Sequence, residues 1–193
     1  MRHFVYFSTS AATSGKALSG DLMKAGRMDI AIHSIIQALF LSHDFRRDTI
    51  IHLVFYGMPD PPKHIEIQIT EDLEISKKNL AKLIQKILYK YQEGQKKEVL
   101  PGCFIEKKSL LKVIEELHDS GKEIFILDKR GEDIRKAEIK DNPVFLLGDQ
   151  EGLPRKEMKR LSDIATSVSI GPKVYFASQT IAVVNNELDI RGI

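Results

Sequence analysis

Cysteine is almost absent from this chain of 193 residues. Cys103 stands alone, which rules out an intramolecular disulfide framework and any multi-cysteine zinc or iron–sulfur site. A lone thiol is what a reducing cytoplasm leaves, so secretion is not expected. Tryptophan is missing. Long apolar runs are missing too: the most apolar stretch, residues 30–41, is broken by His33, Ser34 and Gln37 and falls far short of the ~20 residues that span a bilayer. Residues 1–15 lose their apolar character to serine and threonine before they could form a signal-peptide core. The sequence therefore predicts a cytoplasmic protein with no membrane partner. Neither G-x-x-x-x-G-K followed by Ser or Thr nor G-x-G-x-x-G occurs, so neither a P-loop nor a dinucleotide fold is supported.

What is present suffices for one domain over residues 1–193. With 42% hydrophobic residues, a chain of this length removes roughly 70% of its unfolded surface from water, so it holds a core without a structural metal. Charge of one sign is scarce overall, 29 basic against 27 acidic residues, but residues 77–112 carry ten lysines against only Glu93, Glu98 and Glu106. Strands are read at residues 4–7 and 50–56, the second apolar enough to be covered on both faces, and at 64–69, whose alternation places it near a sheet edge. Ile32, Ile35, Ile36, Leu39 and Phe40 recur at helical spacing behind Asp29, an N-cap or first-turn acid. Ser76 is expected to cap a helix with one apolar face and a ridge of Lys78, Lys82, Lys86 and Lys90 on another. Residues 94–102 read as a polar linker.

Beyond that linker the chain alternates strand and helix: a helix capped by Ser109 and closed by Gly121, strands at 124–127, 144–147 and 168–170, a helix opened by Pro154 at its first position, and a last helix over 177–188. This rhythm predicts an α/β fold, a mostly parallel sheet with helices on both faces. Ligands of such sheets collect at the carboxyl ends of the strands. Three loops sit at such ends: residues 127–131, residues 148–154 (GDQEGLP) and residues 170–175 (IGPKVY). Gly148 and Gly171 there are expected to let a ligand approach the backbone.

Two of these segments carry a resemblance. FLLGDQEGLP followed by SVSIGPKVYFASQTIAVVNN resembles the last two motifs of the SPOUT methyltransferases. With MRHFVYFS at the start and GRMDIAIHSIIQALFLSHDFRRDTIIHLVFYG in the middle, nearly the whole chain resembles the archaeal tRNA pseudouridine-54 N1-methyltransferases. The resemblance implies a C-terminal deep trefoil knot, a homodimer, tRNA as substrate and S-adenosylmethionine as methyl donor. It places that donor against Leu127, Gly148, Ile170, Gly171, Pro172, Lys173, Val174, Tyr175 and Thr180, the last a position where family members can have Cys. The backbone of Lys173 is expected to meet the cofactor while its ammonium faces RNA or solvent. Residues 103–193 would be the cofactor-binding half, residues 1–102 the RNA-contacting half with the base.

A second constellation frames the helix behind Asp29, with Arg27 and Asp29 before it and Asp44, Arg46, Arg47 and Asp48 after it. Arg27 and Arg47 suit a phosphate or an imide carbonyl, because a guanidinium can donate twice. Methylating N1 of pseudouridine requires removal of its proton; Asp29 is the first candidate acceptor and Asp44 the second. No metal is needed for that step. His33 is read as a hydrogen-bonded structural residue, His43 as solvated and Cys103 as a buried apolar group. The lysine ridge is either a solvated face or, with Arg46, a contact to RNA phosphates. A ribosomal pseudouridine or a ribose 2′-hydroxyl is the rival target, and a non-catalytic RNA-binding module the rival of another class.

Overall fold

The computed structural model describes residues 1–193. Its strands are β1 (Arg2–Ser8), β2 (Thr49–Phe55), β3 (Lys63–Gln68), β4 (Lys97–Leu100), β5 (Cys103–Glu106), β6 (Ile124–Asp133), β7 (Val144–Gly148) and β8 (Ala165–Ser169). The helices are α1 (Met28–Leu39), α2 (Leu80–Tyr89), α3 (Leu110–Asp119), α4 (Arg155–Ile164) and α5 (Ala177–Arg191), with a short 3-10 turn at Gly15–Ser19. All eight strands form one sheet in the order β4-β5-β3-β2-β1-β7-β6-β8. From β2 through β8 every pairing is parallel; β3, β5 and β4 extend the sheet antiparallel.

The parallel strands are central because their sequences are apolar on both faces. Phe4, Val5, Tyr6 and Phe7 are all fully buried. Alternate residues feed two cores. Phe4, Tyr6, Ile51 and Leu53 pack with α1, α2 and α5 on one face, and Val5, Phe7, Val54 and Leu146 pack with α3 and α4 on the other. The helices thus cover both faces, as expected. Two short ties hold the second layer. Ser109 caps α3 by accepting from Lys112 N–H, and Glu157 of α4 accepts from Leu111 N–H at 2.9 Å and from the Tyr56 hydroxyl at 2.9 Å.

Four local expectations change. β3 is not near an edge, because the presumed linker folds into β4 and β5 follows beside β3. β4 escapes sequence reading because KEVL carries charge and buries no residue fully. The cap of α2 is Asn79, whose side chain accepts from Ser76 N–H. Pro154 is the N-cap of α4 rather than its first helical residue. The sheet is also continuous across the sequence halves, since β5 pairs with β3 and β4.

The end of α5 is gripped. Arg191 donates to the carbonyls of Ile134 (2.6 Å) and Ala137 (2.8 Å) in the β6–β7 connection. Buried Arg2 donates to the Ile193 carbonyl and pairs with Asp189 at 2.7 Å. No helix is long and apolar enough to cross a membrane.

Candidate cofactor and catalytic site

The carboxyl ends of β7, β6 and β8 open onto a cavity of about 640 Å³. A β-bulge shapes one wall: Leu127 and Glu132 of β6 both oppose Val168 of β8, so residues 128–131 loop out and present Asp128 and Lys129 to the cavity. A second wall is the turn after β7, where Gly152 N–H donates to the Asp149 carbonyl at 3.0 Å. A Cβ on Gly148 would stand 2.5 Å from the backbone of Gly152. Gly148 is therefore needed for the turn to close on the strand, a different reason from ligand approach. Gly171, at φ 145° with open space where a Cβ would point, does leave its backbone free for a ligand.

The N-terminus of α5 closes the third side. Gln179 accepts from Phe176 N–H at 3.1 Å, and the Thr180 hydroxyl donates to the Phe176 carbonyl at 3.1 Å. Of the residues assigned to the cofactor, Leu127, Gly148, Ile170, Gly171, Lys173, Val174, Tyr175 and Thr180 all line this cavity, and Pro172 lies within the same loop. Ile126, Leu147, Leu153, Met158 and Val168 make its floor apolar. An apolar floor ringed by backbone amides and carbonyls suits a purine nucleoside, and carboxylates at the rim tolerate a positive sulfonium.

Arg27 and Ile30 bring α1 to the same cavity. Arg27 takes a left-handed conformation, φ 62°, directly after Gly26 at φ 71°, a cost usually tolerated where the side chain has work to do. Its Nε and Nη2 bind both oxygens of Asp29 at 3.0 Å, leaving Nη1 unspent. That guanidinium holds the Asp29 carboxyl below the usual range. Asp44 and Arg47 pair with each other at 3.1 Å, both side chains more than half exposed, beyond the other end of α1 and outside the cavity. Backbone Phe45 N–H and then Arg47 depress the Asp44 carboxyl. Arg46 is engaged inward, donating to both oxygens of Asp189 at 2.8 and 2.6 Å.

Lys78, Lys82, Lys86 and Lys90 are exposed on or beside α2, over the antiparallel end of the sheet. Lys82 and Lys86 flank a second, shallower depression of about 350 Å³ with Leu83 and Leu100. His33 is exposed on α1, because position 33 falls outside the stripe of Met28, Ile32, Ile35 and Leu39. Cys103 is fully buried, and burial pushes its thiol up to about 12.

Two groupings escaped sequence reading. The first surrounds Asp149, whose Oδ2 accepts from Ser8 Oγ at 2.6 Å and whose Oδ1 accepts from Glu151 N–H at 2.8 Å. The Tyr6 hydroxyl is buried near by without a hydrogen-bond partner, and burial followed by the charge of Asp149 raises its pKa. The second is a line of buried imidazoles crossing the α3 face: His3 Nδ1 to His52 Nε2 at 3.0 Å, His52 Nδ1 to His64 Nε2 at 3.0 Å, and His64 Nδ1 to Glu106 at 2.9 Å. Ionised Glu106 only accepts, so with all three rings neutral each would carry its proton on Nδ1. His52, His64 and Glu66 stand close enough to suggest a metal, but the facing His52 and His64 nitrogens share one proton and offer that bond rather than a vertex. The imidazole line has no motif, since its members come from three separate strands, and Asp149 lies within GDQEGLP but meets Ser8 only through the pairing of β1 with β7.

A family described as "Putative SAM-dependent RNA methyltransferase" matches residues 1–193. The chain is 38% identical to the tRNA (pseudouridine(54)-N(1))-methyltransferase of Methanococcus aeolicus over 98% of each chain, and 36% identical to that of Methanococcoides burtonii over 98% of this chain and 96% of the relative. It is 32% identical to a "Putative pseudouridine methyltransferase" of Vibrio parahaemolyticus over 99% of each. Among solved structures, Archaeoglobus fulgidus Nep1 bound to S-adenosylhomocysteine superposes with a TM-score of 0.64 at 13% identity, covering 98% of both chains. That likeness supports the α/β fold.

Proposed function

The chain belongs to this family of SAM-dependent RNA methyltransferases, and on that premise we propose that it methylates N1 of pseudouridine 54 in the TΨC loop of tRNA. The archaeal relatives carry that activity in their names. The observation that carries the reading is the meeting of Arg27 with the three strand-end loops at one cavity. S-adenosylmethionine supplies an electrophilic methyl group there. The chain's own part is to seat the adenosine on the apolar floor and to hold the target ring beside it, since orientation alone can supply roughly 7–11 kcal/mol.

Arg27 keeps one guanidinium nitrogen for an imide carbonyl or a phosphate, and Asp29 fixes its direction. Residues 1–102 supply the RNA face and residues 103–193 the cofactor side. Arg47 and the lysines of α2 stay exposed for RNA phosphates, while Asp44 pairs with Arg47. The grip of Arg191 on the β6–β7 connection supports a chain end threaded as a trefoil knot. Val174 and Phe176, 84% and 71% exposed at the cavity mouth, support a homodimer in which a second copy covers them. The reaction calls on no metal, and its tRNA substrate and the chain's lone thiol fit the cytoplasm.

The test is mass spectrometry of tRNA carrying pseudouridine 54 after incubation with methyl-labelled cofactor. The expected product is N1-methylpseudouridine at that position. Label on a ribose 2′-oxygen contradicts the reading. Label only on another pseudouridine-bearing RNA transfers the activity to that target, a second reading favoured by the bacterial relative, whose name gives no position. No label on any RNA leaves a binding module.

A further inference from the structure

Three carboxylates stand at or beside the cavity, and their partners differ in kind. Both oxygens of Asp29 are bound by Arg27. Both oxygens of Asp128 are bound by Arg130, at 3.3 Å from Nε and 3.1 Å from Nη2. A carboxylate clamped by a guanidinium is a weak proton acceptor, because taking a proton forfeits the ion pair. Asp149 has no such clamp. Its partners are the neutral Ser8 hydroxyl and the Glu151 amide, one on each oxygen. It lines the cavity between Gly148 and Gln150, on the wall shared with the loops assigned to the methyl donor.

The sheet holds that carboxylate rigidly. β1 and β7 pair in parallel with Phe7 opposite Gly148. Asp149 N–H donates to the Phe7 carbonyl at 3.0 Å, and Ser8 Oγ itself accepts from Ala11 N–H at 3.0 Å. A site built on strand ends in this way keeps its geometry better than one on a free loop. We propose that Asp149 is the catalytic proton acceptor for N1 of the target base and that Ser8 is its positioning residue. Asp29 then serves to aim Arg27. The proposal rests on the pseudouridine reading above.

In the step, the N1–H bond breaks and its proton passes to an oxygen of Asp149. The electron pair left on N1 forms the bond to the methyl carbon. The electrons of the methyl–sulfur bond stay on sulfur, which leaves as the neutral thioether S-adenosylhomocysteine. Charge balances: a carboxylate and a sulfonium become a carboxylic acid and a thioether. Asp149 then returns its proton to solvent.

The experiment compares wild type, Asp149→Asn, Ser8→Ala and Asp29→Asn as intact chains on tRNA carrying pseudouridine 54. Calorimetry with S-adenosylhomocysteine should find Asp149→Asn within about twofold of wild type, while its single-turnover methylation falls by about 10²–10⁴, the range for a lost general base. The acid limb of the wild-type rate profile should disappear in Asp149→Asn. It should move to higher pH in Ser8→Ala, which loses a hydrogen bond to the charged form. Carbon NMR of the Asp149 carboxyl in the free protein should titrate where the limb breaks in the profile of kcat/KM. A rate within threefold of wild type in Asp149→Asn, or a limb removed by Asp29→Asn instead, overturns the proposal. Should Asp149→Asn also lose cofactor affinity, Ser8→Ala decides, and an unmoved limb overturns it. If the wild type forms no N1-methylpseudouridine, the reading beneath the proposal fails first.

Discussion

Single residues here owe their behaviour to partners far away in sequence. Arg2 is 4% exposed, yet its charge is met by Asp189 and by the Ile193 carbonyl at the other end of the chain. Removing Asp189 would leave that buried charge to the more distant Asp48, at 3.5 Å, and to neutral acceptors, at a cost in stability. The imidazole line obeys the same logic in neutral form. Burial, with Lys122 and the N-terminal amine adding to it, lowers His3 from 6.5 to about 4, and burial holds His52 well below its ordinary value. Burial alone would raise Glu106, but the His64 and Lys108 bonds outweigh it and bring the carboxyl from 4.5 to about 2. Between pH 6.5 and 4 the unfolded chain binds more protons at His3 than the folded one, so that contribution is whole above pH 6.5 and is lost as pH falls. For His3 it amounts to ~3 kcal/mol. The Glu106 share is lost over the lower window from 4.5 to 2. Urea midpoints measured at pH 7, 5.5 and 4.5 should fall steadily, and the His3→Phe variant should show a flatter dependence; parallel curves would contradict this account.

Elements divide into those that sequence announces and those it hides. β1, β2, β7 and α1 are plain because continuous apolar runs and helical spacing need no distant information. The loops GDQEGLP and IGPKVY are equally plain, since each follows an apolar strand and so must end at the ligand edge of a parallel sheet. β4 is hidden, because an edge strand with charged side chains looks like a linker until β5 offers its hydrogen bonds. The role of Gly148 is hidden for a related reason: the residue it must clear, Gly152, meets it only once the turn has closed. Helix α2 is legible in shape and silent in purpose, because exposed lysines look alike whether they face water or phosphate. If its ridge meets tRNA, the slope of log affinity against log salt should shrink by about one for each phosphate contact removed. Lys82→Ala with Lys86→Ala should therefore lower it by about two in filter-binding titrations, and an unchanged slope would take the helix off the RNA surface.

At the scale of the whole molecule, one sheet does two jobs. Its parallel half ends in the three loops of the cavity. Its antiparallel half carries β3, β5 and β4 beneath α2 and extends the exposed basic face away from that cavity. α1 links them, burying Ile35 and Leu39 in the core while its first residues deliver Arg27 to the ligand edge. In the sequence Asp149 is one acid inside a motif whose glycines stand out, with nothing to mark it from Asp29 or Asp128. Only the pairing of β1 with β7 sets Ser8 against it and separates it in kind from the two guanidinium-bound carboxylates. The proposed reaction requires the cavity to seat the methyl donor. Isothermal titration with S-adenosylmethionine should show one site per chain. Ile170→Trp, which places a large ring on the cavity wall, should weaken it at least tenfold, about 1.4 kcal/mol, with the far-ultraviolet circular dichroism spectrum unchanged. No heat from the wild type at millimolar cofactor, or equal affinity in the variant, would contradict it.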